Sequence, residues 1–338
     1  MIFMKKAVLI FLTLAVVHSH AQTVLMPEGM TAGFADVVKG NPTLKLVGYT
    51  NGKDALAKIP EADAYIGGPD AELMEAAGKL KWVHIFSAGI ENYTALPKLK
   101  DDSIAITNLK IYQGPEIADH AFALLLGLTR NMPAFTRAQD QSSWNKGSGS
   151  SLPLIELRGK SMLVIGYGGI GVQVAERARA FGMDVFAIDK NDIPLTSTLD
   201  GSGKPDELDA FLESADVVVS CVPITPETEG MIGAEQFSKM KKGAYFINVS
   251  RGKVVDTDAL VQALKEGKLT GAGLDVVDPE PLPADSPLWK MENVIITPHV
   301  AGVSDARSDR QSSLIASNLE RFAKGQELKN RVSAKKGY

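Results

Sequence analysis

The chain has 338 residues, 45% of them hydrophobic and 22% charged, with a formal net charge of −4. This length is usual for two domains, and the composition excludes disordered, collagen-like and coiled-coil chains. The Lys and Arg residues do not cluster, so no nucleic-acid partner is expected, and a single cysteine, Cys221, rules out an intrachain disulfide framework or a cysteine-rich metal site.

In chain order, Lys5-Lys6 precedes the apolar run Ala7–Val17, and Ser19-His20-Ala21 follows it. A basic start, an apolar stretch too short for a membrane span and a small-x-small site read as a signal peptide, residues 1–21, cleaved after Ala21. The expected location is periplasmic or secreted, with no membrane attachment after cleavage. An unused signal would leave the protein cytoplasmic.

From Thr23, short apolar runs alternate with helix-like stretches. The expected strands of the first block are Thr23–Met26, Leu44–Gly48, Ala64–Ile66, Trp82–Phe86 and Ile104–Thr107, with helices such as Ala71–Ala77 between the first four. A long helix opens at Pro115, a residue suited to a first helical turn, and Ile117, Ala118, Ala121, Phe122, Leu124, Leu125 and Leu128 form its broad apolar face. Gly147–Ser151 reads as a loop. The second block carries expected strands at Met162–Ile165, Val185–Ile188, Val217–Ser220, Tyr245–Val249, Gly271–Leu274 and Val294–Ile296. A closing helix over about Asp305–Lys324 ends at Gly325. Such alternation predicts parallel sheets covered on both faces, an α/β fold.

The second block begins Met162-Leu-Val-Ile-Gly166-Tyr-Gly168-Gly-Ile-Gly171, an apolar strand running into G-x-G-x-x-G, with a helical stretch Val172–Phe181 behind it. Gly166 permits the tight turn, Gly168 lets the backbone approach a pyrophosphate, and Gly171 lets helix and strand pack closely. The helix N-terminus offers free N–H groups to the phosphates. Asp189, 18 residues past Gly171 at the end of the next strand, can accept from both ribose hydroxyls and would repel the extra phosphate of NADP, so NAD is the expected cofactor. The neighbouring Lys190 tempers that repulsion.

Without the signal, three histidines remain: His84, His120 and His299. His84, in the apolar run Trp82–Phe86, reads as a hydrogen-bonded core residue, and His120, near the start of the long helix, as structural. His299, just beyond a strand end, is the candidate general acid/base. Asn248–Gly252 follows another strand and holds Arg251; Gly273–Pro281 follows a third and holds Asp275 and Glu280. An arginine clamps a carboxylate and polarises an adjacent carbonyl, while a histidine exchanges a proton with an alcohol or ketone oxygen. Taken singly, each also reads as a surface charge or loop anchor, and spacing does not decide between the two.

The sequence resembles the D-isomer-specific 2-hydroxyacid dehydrogenase family over Thr23–Leu328. The resemblance is carried in order by Phe86-Ser-Ala-Gly-Ile-Glu91, Gly114-Pro-Glu-Ile-Ala-Asp-His120, the Gly166–Gly171 loop with Asp189, Pro223-Ile-Thr-Pro-Glu-Thr228, Asn248–Gly252, Leu274–Pro283 and Thr297–Gly302. It implies two doubly wound parallel-sheet domains: a flavodoxin-like substrate domain from residues 22–125 and 303–330, and a Rossmann NAD-binding domain from 126–302. The active site would lie between them, in a homodimer formed through the cofactor domain.

By position, the resemblance implies Arg251 for substrate orientation, Glu280 as partner of the histidine and His299 as proton donor in reduction. Ser87, Ala88 and Gly89 would hold the substrate carboxylate through backbone N–H groups. Gly169 and Ile170 would meet the pyrophosphate, with Gly166, Gly168 and Gly171 in the same cofactor-binding loop, and Asp189 would take the adenosine ribose. Val222, Pro223, Thr228 and Gly302 would also line the cofactor, with Val249, Ser250, Arg251 and His299 on the nicotinamide side and Asp275 on its carboxamide. The chain departs from the family pattern at Asp119, where glutamate is more usual, at Ile111, where glycine is common, and in a longer Gly147–Pro153 loop. The expected activity is NAD(H)-linked interconversion of a small 2-keto acid and a D-2-hydroxy acid. Oxidation of another small anion such as phosphite, or a dinucleotide-binding sensor on the same fold, stand as alternatives.

Overall fold

The computed structural model describes residues 21–144 and 153–338. All but the last residue of the expected signal segment, and the Gly147–Ser151 loop, lie outside them. Strands β1 (Gln22–Pro27), β2 (Leu44–Tyr49), β3 (Ala64–Ile66), β4 (Trp82–His84) and β5 (Ala105–Thr107) come first. Then follow β6 (Ser161–Ile165), β7 (Asp184–Ile188), β8 (Gly201–Gly203), β9 (Val217–Ser220), β10 (Ala244–Asn248), β11 (Leu269–Leu274) and β12 (Val294–Ile296), and last β13 (Arg331–Val332).

The strands form two sheets. The first has the order β13-β5-β4-β3-β1-β2, parallel except for β13, which runs antiparallel beside β5. Without β13 this is the flavodoxin-like order. The second, β12-β11-β10-β9-β6-β7-β8, is fully parallel with the Rossmann order.

Continuous apolar runs explain why these strands are central. Val24, Leu25 and Met26 are each fully buried, as a strand covered on both faces requires. One face of the first sheet packs Val24, Met26 and Trp82 against Ile315, Leu319 and Phe322 of the helix Arg307–Ala323. Its other face gathers Leu25, Tyr65, Val83 and Ile106. In the second sheet, Met162, Val164, Val219 and Ile247 pack against Ile117, Ala121, Leu124, Leu125 and Leu128 of the helix Gly114–Thr129. The opposite face buries Leu163, Ile165, Val218 and Phe246.

Two details of domain division differ from expectation. The helix Gly114–Thr129 is one continuous element whose whole apolar face enters the second core, so a division between residues 125 and 126 falls inside it. The chain leaves the first sheet between Thr107 and Gly114 instead. The first sheet also extends past residue 330, because β13 adds its sixth strand.

His84 is the core histidine that the sequence implies. It is fully buried, with Nδ1 2.8 Å from the Thr107 hydroxyl, and burial pushes its pKa down to about 4. The unfolded chain would take up this proton near pH 6.5. Stability is therefore fully present above about pH 6.5 and falls as pH drops toward 4, by up to about 3 kcal/mol from this residue. Denaturant titrations across that window should show the loss in the parent chain. His84→Gln should lack that part of the slope; identical slopes would contradict a neutral buried His84.

Candidate active site

Because the second sheet is parallel, the carboxyl ends of its strands share one edge. Gly166 follows β6, Asp189 follows β7 and Val222 lies just beyond β9. Arg251, Glu280 and His299 come from the loops after β10, β11 and β12, three neighbouring strands. Strand order reverses between β6 and β9, the switch point where open α/β sheets bind ligands. A cavity of about 450 Å³ opens there. Its other wall comes from the first unit, through Ala88, Gly89, Glu91, Asn108 and Lys110.

The glycine loop fits a pyrophosphate. Gly166 has φ +92°, a left-handed conformation, and a Cβ there would press on the Cys221 backbone at 3.0 Å. Space around Gly168 is open, as close approach of a ligand requires. A Cβ on Gly171 would collide with the Gly166 carbonyl oxygen, which is why the helix Gly169–Ala180 can begin so close behind β6. Its first N–H groups and the positive end of its dipole sit at the cavity wall, which includes Gly168, Gly169 and Ile170. Asp189 is fixed beside them: Oδ2 accepts from the Tyr167 N–H at 2.8 Å, and Oδ1 from the Asn191 N–H at 2.8 Å. Val222, Pro223 and Thr228 complete this part of the wall. Cys221 also lines it, and burial pushes its thiol up to about 12.

At the other end, the buried Asn248 shapes the loop after β10. Its Oδ1 accepts from the Ser250 N–H at 3.1 Å and its Nδ2 donates to the Arg251 carbonyl at 3.1 Å. Ser220 and Ser250 hydroxyls meet at 2.9 Å beneath. The Arg251 side chain crosses to the first unit. Nε donates to Glu91 Oε1 at 2.6 Å and Nη1 to the Ser250 carbonyl at 2.7 Å. Nη2 lies against Gly89, where a Cβ would collide with both Nη2 and Glu91 Oε2. The Ser87–Gly89 loop is held in turn by Ser87 Oγ on the Gly89 carbonyl, 2.6 Å, and by Asn108 Nδ2 on the Ala88 carbonyl, 2.5 Å. Arg251 and the Ser87–Gly89 loop are thus brought together.

His299 sits in a left-handed turn, φ +55°. Its N–H donates to the Asp275 carbonyl at 2.8 Å, and the next two N–H groups, Val300 and Ala301, donate to the Asp275 carboxylate at 3.0 Å each. Thr297 Oγ1 donates to Asp275 Oδ1 at 2.7 Å, and His120 Nε2 lies 2.7 Å from that hydroxyl. Asp275, 3% exposed, therefore spends both oxygens on the histidine loop. His299 Nδ1 meets Glu280 Oε2 at 2.8 Å, and Glu280 Oε1 accepts from the Val277 N–H at 3.2 Å. A carboxylate on Nδ1 fixes the ring orientation and leaves Nε2 for proton exchange.

Of the residues marked out in the sequence, the cavity wall includes Ala88, Gly89, Gly166, Gly168, Gly169, Ile170, Asp189, Val222, Pro223, Thr228, Val249, Ser250 and Arg251. Ser87 and Gly171 support it from behind. Asp275, Glu280, His299 and Gly302 stand outside the wall, on the same sheet edge; the Gly302 carbonyl accepts from Gln113 Nε2 at 3.4 Å. Glu91, which closes the Phe86–Glu91 motif, is not among the residues that the sequence marks out. Its signal in the sequence is a carboxylate two residues past Gly89.

The model of the D-isomer specific 2-hydroxyacid dehydrogenase NAD binding domain matches residues 122–301, just over half of the chain. The chain belongs to the D-isomer specific 2-hydroxyacid dehydrogenase family. It is 38% identical to a glyoxylate reductase of Korarchaeum cryptofilum over 287 residues, covering 83% of this chain and 86% of the relative. A D-isomer specific 2-hydroxyacid dehydrogenase of Xanthobacter autotrophicus, solved with NADPH and MES, superposes with a TM-score of 0.77 at 28% identity, over 94% of this chain and 100% of the other. D-Lactate dehydrogenase of Aquifex aeolicus, solved with NAD and lactic acid, gives 0.70 at 30% identity, over 90% and 96%.

Proposed function

We propose that this protein reduces a small 2-keto acid to the D-2-hydroxy acid, with NADH rather than NADPH. The observation that carries the reading is the loop set on one sheet edge: Arg251 against Gly89, and His299 on Glu280, beside a built dinucleotide cavity. A reduced nicotinamide held at that cavity would supply the hydride for C2 of the acid. Arg251 and the N–H groups near Gly89 hold the substrate carboxylate, and Arg251 polarises the carbonyl. His299, oriented through Nδ1 by Glu280, delivers the proton to the forming alkoxide from Nε2. Asp275 keeps the histidine turn in place. Asp189 supports the choice of NADH: its carboxylate, held by the Tyr167 and Asn191 N–H groups, would repel a 2′-phosphate brought to the end of that strand. The export signal and a homodimer remain part of the proposal, on the sequence pattern and the family resemblance respectively.

The test offers the purified chain glyoxylate, hydroxypyruvate, pyruvate and larger 2-keto acids with NADH, and NADPH as control. Absorbance should fall with at least one acid and NADH, and much more slowly with NADPH. A folded protein that binds NADH yet consumes none with any acid would overturn the reaction. Equal rates with both cofactors would remove Asp189 as selector.

A further inference from the structure

The last residues of the sequence follow a path that the proposed reaction does not use. β13 pairs with β5, and Val332 and Ala334 are buried in the core of the first unit. Ser333 Oγ donates to Asp102 Oδ2 at 3.0 Å. The chain then turns back: the Gly337 N–H donates to the Ser333 carbonyl at 2.9 Å, and the Ser333 N–H to the Tyr338 carbonyl at 3.1 Å. Gly337 adopts φ +82° in this turn. The turn carries Gly337 and Tyr338 across to the second unit, where both line the dinucleotide cavity. There a Cβ on Gly337 would come 3.1 Å from Thr225 Cγ2. Lys190 Nζ stands 4.2 Å from the centre of the Tyr338 ring, a cation–π contact. Lys190 directly follows Asp189, so the ring sits beside the Asp189 end of the cavity.

We infer that Ala334–Tyr338 is a strap over the adenosine end of the dinucleotide site, with the Tyr338 ring as one wall of the adenosine pocket. The inference rests on the dinucleotide reading of the cavity. The strap is anchored in the first unit and its aromatic tip serves a pocket built by the second, so it also pins the two units together at that end. Lys190 is ordered by the same ring. The ligand chemistry it fits is a flat purine on a ribose: an apolar face of tyrosine opposite the base, with Asp189 on the sugar.

The test compares the full chain with Tyr338→Ala, Tyr338→Phe and Gly337→Ala, by titrating ADP-ribose and reduced nicotinamide mononucleotide. The first probe carries adenosine and the second does not. Tyr338→Ala should weaken ADP-ribose binding about tenfold, the scale of losing one base–aromatic contact. It should leave the mononucleotide affinity unchanged, and Tyr338→Phe should restore most of the loss. Gly337→Ala, which keeps the ring but strains the turn, should weaken ADP-ribose in the same direction. Unchanged ADP-ribose affinity in Tyr338→Ala would overturn the strap. So would equal losses for both probes, which would mark a general structural defect. Because these titrations need no turnover, their outcome is independent of whether a keto acid substrate is found.

Discussion

Replacing His299 with alanine is expected to lower kcat by at least about a hundredfold, the scale on which a positioned acid/base group acts. The reason is specific to this site. Nδ1 is committed to Glu280, so the single remaining nitrogen is the one available to move a proton. The turn that presents it is held by Asp275 through backbone N–H groups, which the substitution leaves in place. His299 is also partly exposed and stands outside the cofactor cavity wall, so folding and NADH affinity should hardly change. Steady-state kinetics with saturating NADH, together with a thermal melt, would separate these effects. A kcat within a few-fold of the parent would take His299 out of the reaction.

Arg251→Lys should lower kcat/KM for the keto acid by about a hundredfold or more, although the charge is kept. Arg251 uses its fork: Nε on Glu91, Nη1 on the Ser250 carbonyl and Nη2 against Gly89. Lysine offers a point charge on a flexible stem and cannot make those contacts at once. Glu91 would then stand unpaired beside the position of an anionic substrate, adding repulsion to the lost hydrogen bonds. The pair is half-buried, with Arg251 25% and Glu91 33% exposed, and each lost hydrogen bond to a charged group costs about 1.5–3 kcal/mol, which sets the magnitude. The decisive reading is kcat/KM for the acid against KM for NADH. If kcat/KM stays at the parent value, the arginine is no clamp.

Much of this architecture is legible in the residues because buried parallel strands must be apolar on both faces. Ala64–Ile66, Val217–Ser220 and Val294–Ile296 match their expected bounds, and the other expected strands shift by one or two residues at one or both ends. β8 and β13 escape the same logic. Gly201-Ser202-Gly203 has no apolar side chain, and β13 is two residues long, so each exists by pairing with an edge rather than by periodicity. The division at residues 125/126 falls inside a helix because a helix pattern shows which face is buried but not which sheet buries it. In the site, the glycine loop and Asp189 carry their chemistry in local spacing. The Arg251–Glu91 ion pair does not, since its partners lie 160 residues apart and meet only across the cleft. Tyr338 gives no local signal either; its role depends on where β13 releases the chain.

The first sheet is built from the two extremities of the described chain, with the whole second unit threaded between β5 and the helix Arg307–Ala323. This imposes an order on assembly during synthesis. Val24, Met26 and Trp82 emerge early, yet the residues that cover them, Ile315, Leu319 and Phe322, are made last. The second unit holds all of its strands and its Gly114–Thr129 helix in one uninterrupted stretch, so it can complete its core while the first sheet still waits for a face. A nascent chain thus exposes a half-built apolar sheet for most of its elongation, and the inserted unit brings the late helix back within reach of it.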